Sequence, residues 1–210
     1  MAKAKENGGA DSSTEQKIKD AARAVFLKKG FAATRTRDIA EEAGINLALL
    51  NYYFRSKQKL FEIIMVETLQ GFVSGMMGVL DNEKTTLDMK VQEIASRYID
   101  LIIQEPEIPT FIVTEIRSNP GELLKKLPIQ QILTNSAFFR QHQELVAKGK
   151  ITEPNPLHFF MNMIGLIVFP FIAKPLMMGA RNLKTEEFNL MMLERKKLIP
   201  VWIKGMMKAK

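Results

Sequence analysis

Helical spacing is the feature that most narrows what this chain can fold into. From Ile18 onward apolar residues recur three and four positions apart, and no stretch keeps a period of two for long. Ile18, Ala21, Ala22, Val25 and Phe26 open the series, and Gly30 closes it as a C-terminal glycine. Ser12, Ser13 and Thr14, followed by Glu15 and Gln16, offer a capping box in either of two registers. A short helix starts at Thr36 and ends at Gly44, and another covers 47–54 behind a possible Asn46 cap. The spacing predicts further helices over 58–79, 86–104, 109–118, 127–147, 155–178 and 185–207, with Pro, Gly, Asn or charged breaks between them. This is an all-α chain of about nine helices. Pro170, Pro175 and Pro200 fall inside helical patterns, and each is expected to kink or end its helix.

Composition divides the chain in two. Its 210 residues, 46% hydrophobic and 25% charged, are enough to bury a real core. Of the net charge of +7, the first 60 residues carry +5, from 12 Lys/Arg against 7 Asp/Glu. A polyanion partner is therefore to be sought in that basic head. Apolar bulk goes the other way, since 12 of 13 Met and 10 of 13 Phe follow residue 60. The absence of cysteine excludes a disulfide scaffold, a thiolate metal site and a cysteine nucleophile. Residues 1–13 are polar, with no apolar segment of the kind a signal peptide needs. They are expected to be a disordered tail on a soluble, cytoplasmic protein.

Catalytic patterns are missing. His142 and His158 are the two histidines, and neither belongs to an H-E-x-x-H or E-x-x-H pairing. No G-x-x-x-x-G-K phosphate loop or G-x-S-x-G nucleophile turn occurs. No enzyme, cofactor or metal site is expected. Residues 163–173, the longest uninterrupted apolar run, hold Pro170 and are too short to span a bilayer, which needs about 20 residues.

Residues 36–55 carry the positive signal. Ala40 is small where two short helices must cross, and Gly44 permits the positive φ of a tight turn. With Ile45 and Leu50 inward, Leu47, Ala48, Asn51 and Tyr52 share the outer face of the second helix. Spacing alone fits an ordinary helical hairpin as well as a helix that enters a DNA major groove.

The run from Phe31 to Leu60 combines a first helix ending in K-K-G-F with T-x-x-D-I-A-x-x-A-G and L-x-Y-x-F-x-S-K. Over residues 14–60 it resembles the DNA-binding head of the TetR/AcrR family of transcriptional regulators. The resemblance implies a three-helix head over 14–60 and a helical effector-binding and dimerisation body over 61–210. It also implies a homodimer on a palindromic duplex operator, most often as a repressor that a small molecule releases. On that reading Thr36 and the amides around it hold a phosphate, and Arg37 reaches a phosphate or a base edge. Asn46 does for the next helix what Thr36 does for its own. Tyr52 gives its phenol to a phosphate or its ring to a thymine methyl, and Lys57 grips the backbone.

Three positions depart from the family pattern. Leu47, with Ala48, can touch thymine methyls or only fill space. Asn51 can pair bidentately with adenine. Tyr53 keeps a phosphate contact or belongs to the core. A rival reading, a helical interaction module without DNA, rests on Leu47 and Ala48.

The body matches the family only in architecture. Its last two long helices are expected to form a four-helix bundle with the partner's pair, through Leu166, Phe169, Phe188, Met192, Ile199 and Trp202. An effector, apolar or amphipathic, is expected among Met- and Phe-rich walls. Phe111, Glu115, His158 and Asn162 are the candidate contacts, the last two being four residues apart on one helix.

Overall fold

The computed structural model describes residues 7–118 and 120–208, which form twelve α-helices and no strand. In chain order these are α1 (Asn7–Ala33), α2 (Thr36–Glu42), α3 (Leu47–Tyr53), α4 (Lys57–Leu80), α5 (Leu87–Gln104) and α6 (Ile108–Ser118). They continue as α7 (Pro120–Lys126), α8 (Ile129–Asn135), α9 (Ala137–Ala147), α10 (Pro156–Ile172), α11 (Lys174–Arg181) and α12 (Thr185–Met206). The chain divides into two compact units, Met1–Thr68 and Leu69–Lys210.

The first unit is a small helical head. Gly30 takes a φ of +73°, which breaks α1 where a C-terminal glycine was expected. Gly44 turns the chain at φ +60° between α2 and α3. The core is built from Ile18, Ala22, Phe26, Ile39, Leu50, Phe54, Leu60 and Ile64, all buried. Phe61 completes it from α4, edge-on to Phe26 at 5.2 Å and 4.5 Å from the Phe31 ring. Polar ties join α1 to the middle of α4, with Lys19 Nζ 2.9 Å from Glu67 and Arg23 donating to Thr68 at 2.6 Å. These contacts explain why the unit ends at Thr68 rather than at the expected residue 60. Residues 7–13, expected in a disordered tail, belong to α1, because a helix already nucleated gains one hydrogen bond per added residue. Residues 1–6 of that tail lie outside the described residues.

In the second unit α5 and α12 pack most closely, with Ile99, Ile102, Phe188, Met192, Ile199 and Ile203 in one core. Lys204 pairs with Asp88 at 3.2 Å, and Lys196 with Asp100, along the same seam. Thr86 and Asn155 cap α5 and α10 through Met89 N–H and Leu157 N–H. Three helices appear beyond the expected nine. Ser136 divides the expected 127–147 helix, Ala173 divides the 155–178 helix, and α7 is new.

The prolines account for part of this. The chain bends by 56° between α10 and α11, and Pro175 sits in the first turn of α11, where a missing N–H costs nothing. Pro170, by contrast, lies inside α10, and α12 runs through Pro200. Pro170 cannot bond the carbonyl four residues back, that of Leu166. The Arg195 guanidinium of α12 donates to that carbonyl at 2.7 Å and lies 4.9 Å from the Trp202 ring. Among the described residues one helix, α4, is by itself long and apolar enough to cross a membrane, and α10 with α11 meets the same test only as a bent pair. In α4, Leu60, Ile64, Leu69 and Leu80 are buried, while 28% of its most apolar stretch lies inside the protein.

Candidate functional site

In the head, α3 is held by one side and open on the other. Leu50 is fully buried and Phe54 closes the helix end, its N–H bonded to Leu50 O at 2.8 Å. Asn46 is the N-cap, its side chain accepting from Leu49 N–H at 2.8 Å, as the sequence led one to expect. Ala48, Asn51 and Tyr52 are exposed together, Tyr52 at 76%, while Leu47 is half-buried. Such a face presents a small residue, a bidentate amide and a phenol, the groups that read base edges and phosphates. Tyr53 is half-buried between its neighbours, 5.4 Å from the Tyr52 ring and 6.4 Å from Phe54.

At the start of α2, Thr36 is the first helical residue and Arg37 is exposed beside it. The Thr36 and Arg37 amides have no carbonyl of their own helix to bond and are available to an anion, while the Asp38 N–H already bonds Arg35 O at 3.0 Å. Asp38, in the same turn, accepts from Arg35 N–H at 2.9 Å and pairs with Lys29 at 3.1 Å. Those two contacts hold its carboxyl below the usual range, the backbone bond first.

Lys57 departs from expectation. Its ammonium donates to Phe31 O and Thr34 O, each at 2.8 Å, and sits 4.3 Å over the Phe31 ring. Two of its three N–H groups therefore tie the end of α1 to α4, which makes it a brace inside the head rather than a free phosphate grip. A lysine that follows a helix break can serve either use, and only the position of the α1 carbonyls decides between them.

In the second unit, α4, α5, α6, α7, α8 and α10 surround a cavity of about 440 Å³. Phe72, Met76, Ile94, Ile112, Leu123, Ile132, Phe160 and Ile164 are among its walls, and the lining holds no charged residue. Tyr98 supplies its one polar side chain. Burial pushes that phenol up to about 12, so it stays neutral. Ile116 and Leu124, both more than half exposed, mark where the walls thin.

None of the four expected ligand contacts lines this cavity. Phe111 is buried elsewhere in the core and Glu115 is half-buried. His158 and Asn162 are exposed on the outer side of α10, with His158 3.3 Å from Glu153. The apolar run of α10 hid which side faces inward, and Phe160 and Ile164 are the residues that do. A signal for Tyr98 existed: it is the one tyrosine outside the head, and it follows Ile94 and precedes Ile102 at four-residue steps.

The expected dimer residues separate into two groups. Phe188, Met192 and Ile199 are buried in the core of their own chain and so are closed to a partner. Leu166 is half-buried, and Trp202 covers Arg195. Phe169 is 66% exposed, and Leu157, Met161 and Ile172 share its side of α10. On α12 the most exposed apolar residues, Leu190 and Val201, lie on the side opposite the buried three, and Met191, Leu193, Leu198 and Met206 are exposed as well. Helical spacing located an apolar stripe but could not say that α5 would cover it.

Comparison with known proteins places this geometry. Residues 18–64 match the family described as "Bacterial regulatory proteins, tetR family". The chain is 23% identical over 207 residues to the "Probable HTH-type transcriptional regulator YttP" of Bacillus subtilis, covering 94% of this chain and 95% of that one. It is 24% identical over 140 residues to the HTH-type transcriptional repressor KstR2 of Mycolicibacterium smegmatis, 60% of this chain and 68% of that one. Its fold is similar to that of the transcriptional regulator FadR from Bacillus subtilis in complex with stearoyl-CoA. That likeness has a TM-score of 0.60 at 18% identity, over 91% of this chain and 98% of that one. These relatives are regulators and not enzymes. An all-α chain with a helix-turn-helix head and a separate helical body, it is a transcriptional regulator of the TetR/AcrR family.

Proposed function

We propose that the chain binds a palindromic operator as a homodimer and represses transcription in the cytoplasm until an apolar or amphipathic molecule fills the body's cavity. The observation that carries this reading is the open face of α3, with Ala48, Asn51 and Tyr52 exposed above a fully buried Leu50. Asn51 reads a base, Tyr52 and Arg37 contact the backbone, and the first-turn amides at Thr36 and the Asn46-capped turn receive phosphates.

A single head reads few base pairs, so a two-fold pair of heads is the economical way to specificity. The exposed apolar sides of α10 and α12, with Phe169, Leu190 and Val201, support pairing there. KstR2 being named a repressor supports repression, and FadR being named with stearoyl-CoA supports an effector with an aliphatic chain.

The test is selection of duplexes from a random pool, followed by titration at several salt concentrations. A two-fold consensus is expected, with affinity falling steeply as salt rises. Asn51→Ala is expected to lose about 1–3 kcal/mol of discrimination at one base pair while non-specific binding is kept. No binding to any duplex at low salt would sink the proposal, and an unchanged consensus in Asn51→Ala would remove Asn51 from base reading. Phe169→Asp should yield monomers in sedimentation, and a dimer that persists would place the interface elsewhere.

A further inference from the structure

The geometry points to an uncharged occupant for the cavity, a largely apolar molecule bearing one neutral oxygen, with the Tyr98 hydroxyl as the group that binds that oxygen. This rests on the reading of the cavity as the effector site and narrows the chemistry of the molecule that fills it.

Size comes first. Engineered cavities of about 150 Å³ hold benzene, so about 440 Å³ admits a ligand of roughly three times that size, on the order of 15–20 non-hydrogen atoms. Charge comes second. The lining contains no Lys, Arg or His to neutralise an acid and no Asp or Glu to neutralise an amine. An ionised head drawn into these walls would lose its hydration without gaining a partner, which is strongly unfavourable. Ionised ligands must leave their charge outside or bind as the neutral form.

Tyr98 supplies the specificity. Its ring packs against Phe72 at 4.9 Å between centroids, a contact that fixes where the hydroxyl sits. Burial is the whole cause of its altered acidity, with no hydrogen bond or charge contributing. Among the described residues the hydroxyl has no hydrogen-bonded partner in the protein. A hydroxyl that faces an apolar cavity without one is left unpaired, and the oxygen of an alcohol, ester or ketone supplies the missing partner. A neutral phenol can donate to any of the three and accept from the first.

The experiment is calorimetric titration of the full chain with 1-decanol, methyl decanoate and decanoate, each below its aggregation limit, at about pH 8, where the acid is ionised. The alcohol and the ester are expected to bind at least about tenfold more tightly than decanoate. Tyr98→Phe should weaken the alcohol about two- to tenfold while leaving the unfolding midpoint of the empty protein unchanged. Ile164→Trp, which fills the cavity from α10, should abolish binding of both.

Decanoate binding as tightly as the alcohol, or a Tyr98→Phe variant with undiminished affinity for 1-decanol, would overturn the proposal. So would normal 1-decanol binding by Ile164→Trp. Operator binding is followed in parallel. A neutral ligand that binds as described but never releases DNA leaves this inference standing and defeats the effector reading. Release driven by decanoate through the cavity does the reverse.

Discussion

The head and the body repair their polar groups over very different distances along the chain. In the head, Asn46 caps α3 through Leu49 and Asp38 caps α2 through Arg35, each three residues away. In the body, Arg195 reaches back 29 residues to the Leu166 carbonyl that Pro170 leaves open, and Lys196 pairs with Asp100 across 96 residues. The same contrast holds for function. The candidate DNA face comes from two short, adjacent helices, whereas the cavity needs six helices drawn from residues 69–164. Local devices can be read from order and spacing, but distant ones exist only once the helices have packed.

Substitutions can break or sharpen that contrast. The largest expected effect is in the head, where Leu50→Ala should cost about 2–5 kcal/mol in denaturant unfolding, because a fully buried anchor leaves a cavity. A cost near zero would mean that α3 is not held from beneath, and the argument for its open face would fall with it.

Next is the long-range repair. Arg195→Met should cost about 1–3 kcal/mol, since it orphans the Leu166 carbonyl. Pro170→Ala restores the helical N–H, so the double variant should recover much of the loss in a double-mutant cycle. Strict additivity would show that Arg195 acts by packing against Trp202 alone.

The third effect is a pH dependence confined to the body, which holds both histidines. His142 is fully buried, 5.2 Å from the Phe159 ring, and neither ring nitrogen has a hydrogen-bond partner. Burial lowers its pKa below the ordinary 6.5, against a smaller opposing pull from Glu153. The unfolded chain therefore takes up a proton that the folded chain refuses. Stability is complete above pH 6.5 and falls as pH drops from there towards the folded value, by at most about 1.4 kcal/mol per pH unit. His142→Phe should flatten unfolding midpoints between about pH 6.5 and 5. A slope that survives the substitution would point to another group.

The smallest change returns to the head. Asn46→Ala removes one local cap and should cost about 1 kcal/mol, visible as a modest fall in melting temperature. Asn46→Asp should recover most of it. If the loss matched that of Leu50→Ala, the cap would be holding more than its own helix.

Particular residues show how much was legible in advance. Gly30, Gly44, Asn46, Leu50 and the exposed Asn51–Tyr52 pair stand where spacing put them, because each answers to neighbours within one or two turns. Lys57 was misjudged because its acceptors, Phe31 O and Thr34 O, lie more than twenty residues back. Phe188, Met192 and Ile199 were assigned to a partner because their stripe is apolar, and apolarity does not say whether α5 or another chain covers it. His158 and Asn162 failed as ligand contacts for a related reason: α10 is apolar on so many sides that its periodicity carries no direction.

By itself, the sequence determined the all-α class, the order of the helices and the identity of the DNA-reading head, since these follow from backbone spacing, glycine turns and caps acting over a few residues. Only the tertiary structure decided which faces of α10 and α12 are inside, that Lys57 is a brace, and that Tyr98 is the one polar group in an apolar cavity. Burial is a property of what packs opposite a side chain, and that neighbour is usually far away in the chain.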